Sequence, residues 1–285
     1  MLPTFVIGLR EGVEASLIVG IVAAFLRQSG ARQQLRWMWV GVLTAVGICL
    51  AVGVGLEILD DNLPQKQQEQ LETVVALIAV VMVTSMIVWM ARHARGLKRE
   101  LEQRASAAVA EGSAVALVGM AFLAVLREGL ETAVFLLSAF QASTNRGSAI
   151  SGAVLGIGVA VVVGYGIYRG GVRINLARFF TVTGLVLVLV AAGLVSFAMH
   201  TGHEAGWINF GQAELVDLTW LVKPGSVRSA LLTGVLGLQP KPTVIEGLAW
   251  LAYLVPISLF VVRQSLRRAP PKQSRVATET AEAPA

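Results

Sequence analysis

Two stretches, residues 8–20 (GLREGVEASLIVG) and 125–137 (VLREGLETAVFLL), each set one arginine and two glutamates into an otherwise lipid-soluble run. An ionised group at the centre of a membrane helix costs about 2.5–3.5 kcal/mol on the insertion scale. Six of them would cost roughly 15–20 kcal/mol, more than the stability of a typical domain. They cannot face lipid unpaired. Whatever this chain folds into must turn them toward one another or toward water. The surrounding composition leaves no soluble alternative: of 285 residues, 55% are hydrophobic and 14% charged, with a mean hydropathy of +0.69.

A spanning helix needs about 20 apolar residues. Seven segments qualify: 2–26, 37–56, 72–91, 114–140, 148–168, 178–199 and 244–262. The expectation is an all-α polytopic membrane protein, with one domain over residues 1–268. Its parts are a first repeat over about 1–92, a second over about 114–199, an outer loop over 200–243 and helix seven over 244–262. The Pro/Ala/Thr-rich tail, residues 269–285, is expected to be disordered. Arg10, Glu11 and Glu14 interrupt the first apolar run, which argues against a cleavable signal peptide. Of the 21 Lys and Arg outside the two motifs, 16 lie in loops 27–36, 92–113 and 169–178 and in the tail from Arg263. That bias predicts an outer N-terminus and a cytoplasmic C-terminus. It also explains the basic pI without any nucleic-acid role. The lone Cys49 lies within helix two and supports no disulfide framework.

The motifs recur at a spacing of 117 residues. Gly41, Gly47, Gly53 and Gly55 of helix two recur 111 residues later as Gly152, Gly158, Gly164 and Gly166 of helix five. Three spans separate the copies, so they run in opposite directions. The predicted plan is an inverted 3+3 repeat plus one helix, as in many transporters whose sites lie at the midplane. Glu11 falls on the order of 14 Å from the outer end of helix one, and Glu128 on the order of 20 Å from the inner end of helix four. Both depths are central in a hydrocarbon core of about 30 Å.

Within each motif the two glutamates are i,i+3 and share a helix face, while Arg10–Glu14 and Arg127–Glu131 are i,i+4 pairs. Glu11 and Glu128 are left without a local partner. Bringing the helices together gives four carboxylates and two guanidiniums, a surplus of two negative charges. A salt-bridge lattice that merely holds the bundle together would need no surplus. A hard cation fits it, and the absence of Cys or His from the motifs disfavours soft metals. Fe(III), Mn(II), Mg(II) and Ca(II) all remain open on these grounds.

The paired REGVE and REGLE resemble the motifs of the oxidase-dependent iron permease family, which includes the bacterial EfeU proteins. The stretches PQKQQEQ (64–70), MIVWM (86–90), HEAG (203–206) and WLAYLVP (250–256) are similar as well, so the resemblance covers most of residues 1–262. It implies a non-enzymatic permease of the cytoplasmic membrane that imports iron as Fe(III) after Fe(II) is oxidised outside. It implies Glu11, Glu14, Glu128 and Glu131 as iron ligands, with Arg10 and Arg127 compensating charge. It also implies an extracytoplasmic iron-oxidising peroxidase and an iron-binding protein as partners, and no cofactor beyond the transported ion. Oligomerisation is left open. Val13 replaces the usual leucine of the first motif, away from the charged chemistry.

His203, Glu204, Asp60, Asp61 and Glu72 form a candidate metal relay at the outer mouth, where the acidic rim of an outer loop over 57–72 would concentrate cations. His200 is a further mouth candidate, and Glu246 reads as interfacial. Met82, Met86 and Met90 read as packing. Segments 213–222 and 226–238 are expected as short helices on the membrane or over the entrance, and Pro256 as a kink. Two other readings keep the fold and change the cargo: a Mn(II) or other hard divalent-cation transporter, and a proton-coupled exporter. A retinal pigment would need a lysine in residues 244–262, which hold none, and no haem-like histidine pair or catalytic constellation supports an enzyme.

Overall fold

The structure, a computed structural model, describes residues 1–28, 30, 32–93, 114–143, 145–168, 176–220, 232, 236, 237 and 239–266. These form seven long helices: α1 (Leu2–Gln28), α2 (Arg32–Asn62), α3 (Gln65–His93), α4 (Ala114–Gln141), α5 (Arg146–Tyr168), α6 (Leu176–Glu204) and α7 (Val244–Leu266). α2, α3, α5, α6 and α7 each contain a span long and apolar enough to cross a bilayer. The other two, α1 and α4, are the helices that carry the charged motifs. The tail 269–285 lies outside the described residues.

Local chemistry sets the boundaries. Pro64 breaks the chain between α2 and α3, and its carbonyl accepts from the amides of Gln67 and Gln68. Asn145 caps α5, its Oδ1 accepting from the Ser148 amide at 3.0 Å. Thr243 and Glu246 form a reciprocal capping box at the start of α7. α6 ends at Gly206, whose φ of 81° lets the Trp207 amide fold back onto the Gly202 carbonyl.

Two expectations are corrected. The acidic segment 57–72 is not an open loop, since all of it but Leu63 and Pro64 continues α2 or begins α3. Within 213–222, residues 213–220 are non-helical. They pair with the chain before α7, the Leu215 amide donating to Pro242 and the Leu218 amide to Pro240. Most of 226–238 lies outside the described residues. Pro256 does lie inside α7.

The most extensive interfaces join α1 to α5, α2 to α4 and α3 to α6; α6 also packs on α7, and α1 crosses α4. The α1–α4 crossing is antiparallel, as the core clusters show. Val6 and Ile7 share one apolar cluster with Phe135 and Ala139. Val22, Ala23 and Leu26 share another with Ala121 and Val125. The motifs lie between these clusters, so a charged layer is enclosed by apolar packing on both sides. Each motif glycine lies on an inter-helix contact. A methyl group at Gly12 would stand 2.6 Å from Ala160 Cβ of α5, and one at Gly129 would stand 2.5 Å from Cys49 Sγ of α2.

Candidate metal centre

Arg10 is 1% exposed and is held on several sides. Its Nη1 donates to Glu11 Oε1 at 2.9 Å and also meets the Met86 sulfur of α3. Its Nη2 lies 3.1 Å from Glu14 Oε1, and its Cζ lies 5.8 Å from the Phe180 ring centroid. The i,i+4 pairing of Arg10 with Glu14 is therefore present. Glu11, expected to lack a local partner, bonds to its neighbour Arg10 instead. Its second oxygen, Oε2, is buried and accepts no hydrogen bond.

On α4, Arg127 Nε donates to Glu131 Oε1 at 2.9 Å, again the expected i,i+4 pair. The Thr132 hydroxyl turns back onto the Glu128 backbone carbonyl at 2.7 Å. The antiparallel crossing brings Glu11, Glu128 and Glu131 together, with one carboxylate oxygen of each within 4.8 Å of the others. Two like charges at that separation repel by about 3 kcal/mol at an effective dielectric of about 20. Glu14 adjoins the trio through Arg10. The four acids and two arginines sum to −2, and among the described residues this is the one group of three or more such ligands gathered so closely. Hard oxygen donors, buried and mutually repelling, suit a small cation of high charge.

The candidates at the α1 N-terminal face of the bundle separate. Asp60 is 0% exposed, and neither of its carboxylate oxygens has a hydrogen-bond partner. Glu72 has Asp60, Glu204 and Glu69 as its negative neighbours. Asp60, Glu72 and Glu204 nevertheless do not converge as the central trio does. The side chain of Asp61 lies outside the described residues. His203 Nδ1 pairs with the Ile208 carbonyl at 2.7 Å and closes the turn after α6. His200 instead lies between two acids, with Nδ1 at 2.9 Å from Glu246 and Nε2 at 3.5 Å from Glu204. Glu246, in the first turn of α7, is buried and held by His200 and the Thr243 cap. The T-x-x-E spacing of 243–246 carried that signal in the sequence. Met86 and Met90 are core residues, as the packing reading requires.

The chain matches the iron permease FTR1 family over residues 1–267. It is 42% identical over 258 residues to "Ferrous iron permease EfeU" of Escherichia coli O157:H7, covering 90% of this chain and 93% of that protein. The protein of the same name from Yersinia pestis is also 42% identical, with 90% and 91% covered. A third relative at 42% identity, from Escherichia coli strain K12, is named "Putative inactive ferrous iron permease EfeU". No solved structure matches.

Proposed function

The chain belongs to the iron permease FTR1 family of transporters, and from that premise we propose that it imports iron across the cytoplasmic membrane through the carboxylate centre between α1 and α4. The observation that carries the reading is the mid-helix trio of buried Glu11 and Glu128 and half-buried Glu131, with oxygens within 4.8 Å. Glu14 completes the ligand set. Arg10 and Arg127 limit the charge that must be buried when no ion is bound.

The N-terminus lies outside and the C-terminus inside, following the Lys/Arg asymmetry. The architecture is an inverted 3+3 repeat plus α7. Support comes from paired interfaces: α1 packs on α5 as α4 packs on α2, while α1–α4 and α3–α6 join like with like. The motif contacts follow the same rule. Gly12 against Ala160 is repeated by Gly129 against Cys49, and the sequence offsets of 117 and 111 relate both pairs. The site then lies where the two repeats meet.

Iron arrives as Fe(III) after oxidation outside, passed on by a peroxidase and an iron-binding protein. Asp60, Asp61, Glu72 and Glu204 form the acidic mouth that receives it. The orphaned carboxylate of Asp60 supports a cation site there. His203, tied to Ile208, is left as a flank of that mouth. A second reading has Fe(II) crossing directly. The relatives' name favours it, and so does charge balance, since a divalent ion neutralises a site of −2.

The test is radiolabelled iron flux into liposomes holding the pure protein, with Fe(II) kept reduced, chelated Fe(III) and Mn(II) compared. Saturable iron uptake that exceeds Mn(II) uptake supports the proposal, and the iron species that moves decides between the two readings. Equal flux of Mn(II) would transfer the function to a general divalent-cation transporter. Net outward movement driven by protons would make the protein an exporter.

A further inference from the structure

The two motif arginines are equivalent in sequence and opposite in environment. Arg10 is 1% exposed; Arg127 is 71% exposed. The difference extends along the helices. On α4, Ala116, Leu123 and Arg127 lie exposed on one stripe, which closes above Arg127 at Glu131 and the buried Phe135. On α1, Val6 and Arg10, the positions 117 residues before Leu123 and Arg127, are buried.

Arg127 lies 13 residues into α4, on the order of 20 Å from the helix start. An arginine at that depth is too far from the interface to snorkel, and exposing it to lipid carries the insertion cost of a charge at a helix centre. Its exposure therefore means water.

We propose that the face of α4 from residue 116 to 127 lines a hydrated crevice ending at the carboxylate centre, and that Arg127 stands at its head as a tethered counter-cation, which takes Glu131 back from the bound ion as that ion leaves. Arg127 Nε engages Glu131 Oε1 at 2.9 Å, and Glu131 is one of the three converging ligands. A cation in the trio and the guanidinium compete for the same carboxylate. When the ion enters, Arg127 swings into crevice water. When the ion departs, Arg127 returns and lowers the charge left behind. Arg10, enclosed by Glu11, Glu14, Met86 and Phe180, has no water to swing into and stays as the fixed counter-charge. A guanidinium stays ionised throughout, so the competition needs no proton. Arg127 is thus a release residue, and its face of the membrane is the exit.

The inference rests on the iron-transport reading only for the identity of the cargo. The first arm of the test places R127C and L123C, separately, in a C49A background. A membrane-impermeant thiol reagent is applied to right-side-out and to inside-out vesicles. Labelling of both from the cytoplasmic face alone is expected. Reaction of R127C only with a lipid-soluble maleimide, or from the outer face, would overturn the crevice as an exit. The second arm measures R127Q. Equilibrium iron binding should tighten by about threefold, the worth of one exposed ion pair, while maximal flux falls. R127K should recover part of the flux. Unchanged flux, or binding that weakens, would overturn the release role. A wild-type chain that carried no iron would defeat the transport reading, and the labelling would still decide the crevice.

Discussion

Glu11 of α1 and Glu128 of α4 are 117 residues apart in sequence, yet their carboxylates meet across the antiparallel helix crossing, with oxygens within 4.8 Å. Neither helix can assemble this centre alone, so each acid should be indispensable to the ion, while Arg10 keeps Glu14 as a partner and the loss of one acid relieves repulsion among the rest, so the fold should persist. E11A and E128A should lower iron uptake at least about tenfold, as the loss of a charged ligand does. Immunoblots of membrane fractions should show normal amounts of both variants. Normal uptake by either would remove that residue from the centre.

The arginines should separate in stability. Removing one member of a buried ion pair costs about 3–5 kcal/mol, because the partner charges stay buried. R10M should therefore unfold at much lower temperature than wild type in detergent. R127Q removes a largely exposed pair and should cost no more than about 1 kcal/mol. Thermal unfolding followed by intrinsic tryptophan fluorescence measures both.

Gly129 and Cys49 provide a test of packing around the centre. A methyl group at 129 would stand 2.5 Å from Cys49 Sγ, so G129A must push α2 away from α4. Overpacking of this kind costs about 1–3 kcal/mol. The double variant C49A/G129A should regain most of the lost stability, and a double-mutant cycle gives the coupling directly. If the effects of the two changes simply add, the contact is not the source of the cost.

A cation that bridges the acids should stabilise the folded state by mass action, about 2.7 kcal/mol at a hundredfold excess over Kd. Iron should raise the unfolding temperature of the wild type and leave that of the E11Q/E128Q double variant unchanged. Cu(I), a soft ion facing oxygen ligands alone, should have little effect on either. A copper shift larger than the iron shift would contradict the assignment of the ligands.

Much of this was legible in the sequence because charge in an apolar helix leaves few options. Six charges in apolar helices had to pair or meet water, and i,i+4 geometry chose Arg10–Glu14 and Arg127–Glu131 correctly. The seven helices followed from span length. What escaped were contacts set by tertiary packing. No periodicity foretells that Arg10 Nη1 turns to Glu11 and to a methionine sulfur two helices away. The acidic segment 57–72 read as a loop because it is polar, yet most of it extends α2 and α3, and Asp60 within it is buried. The capping box of Thr243 with Glu246 was spelled by their spacing, but the hold of His200 on Glu246 was not. The unequal exposure of Arg10 and Arg127 could not be read from two motifs of the same chemistry. It depends on which neighbours close over each helix.

The most direct measurement is anomalous scattering at the iron edge from crystals of the protein grown with iron. A single peak among the carboxylates of Glu11, Glu128 and Glu131, with Glu14 beside it, is the expected result. An iron peak found elsewhere, with none between α1 and α4, would contradict the account.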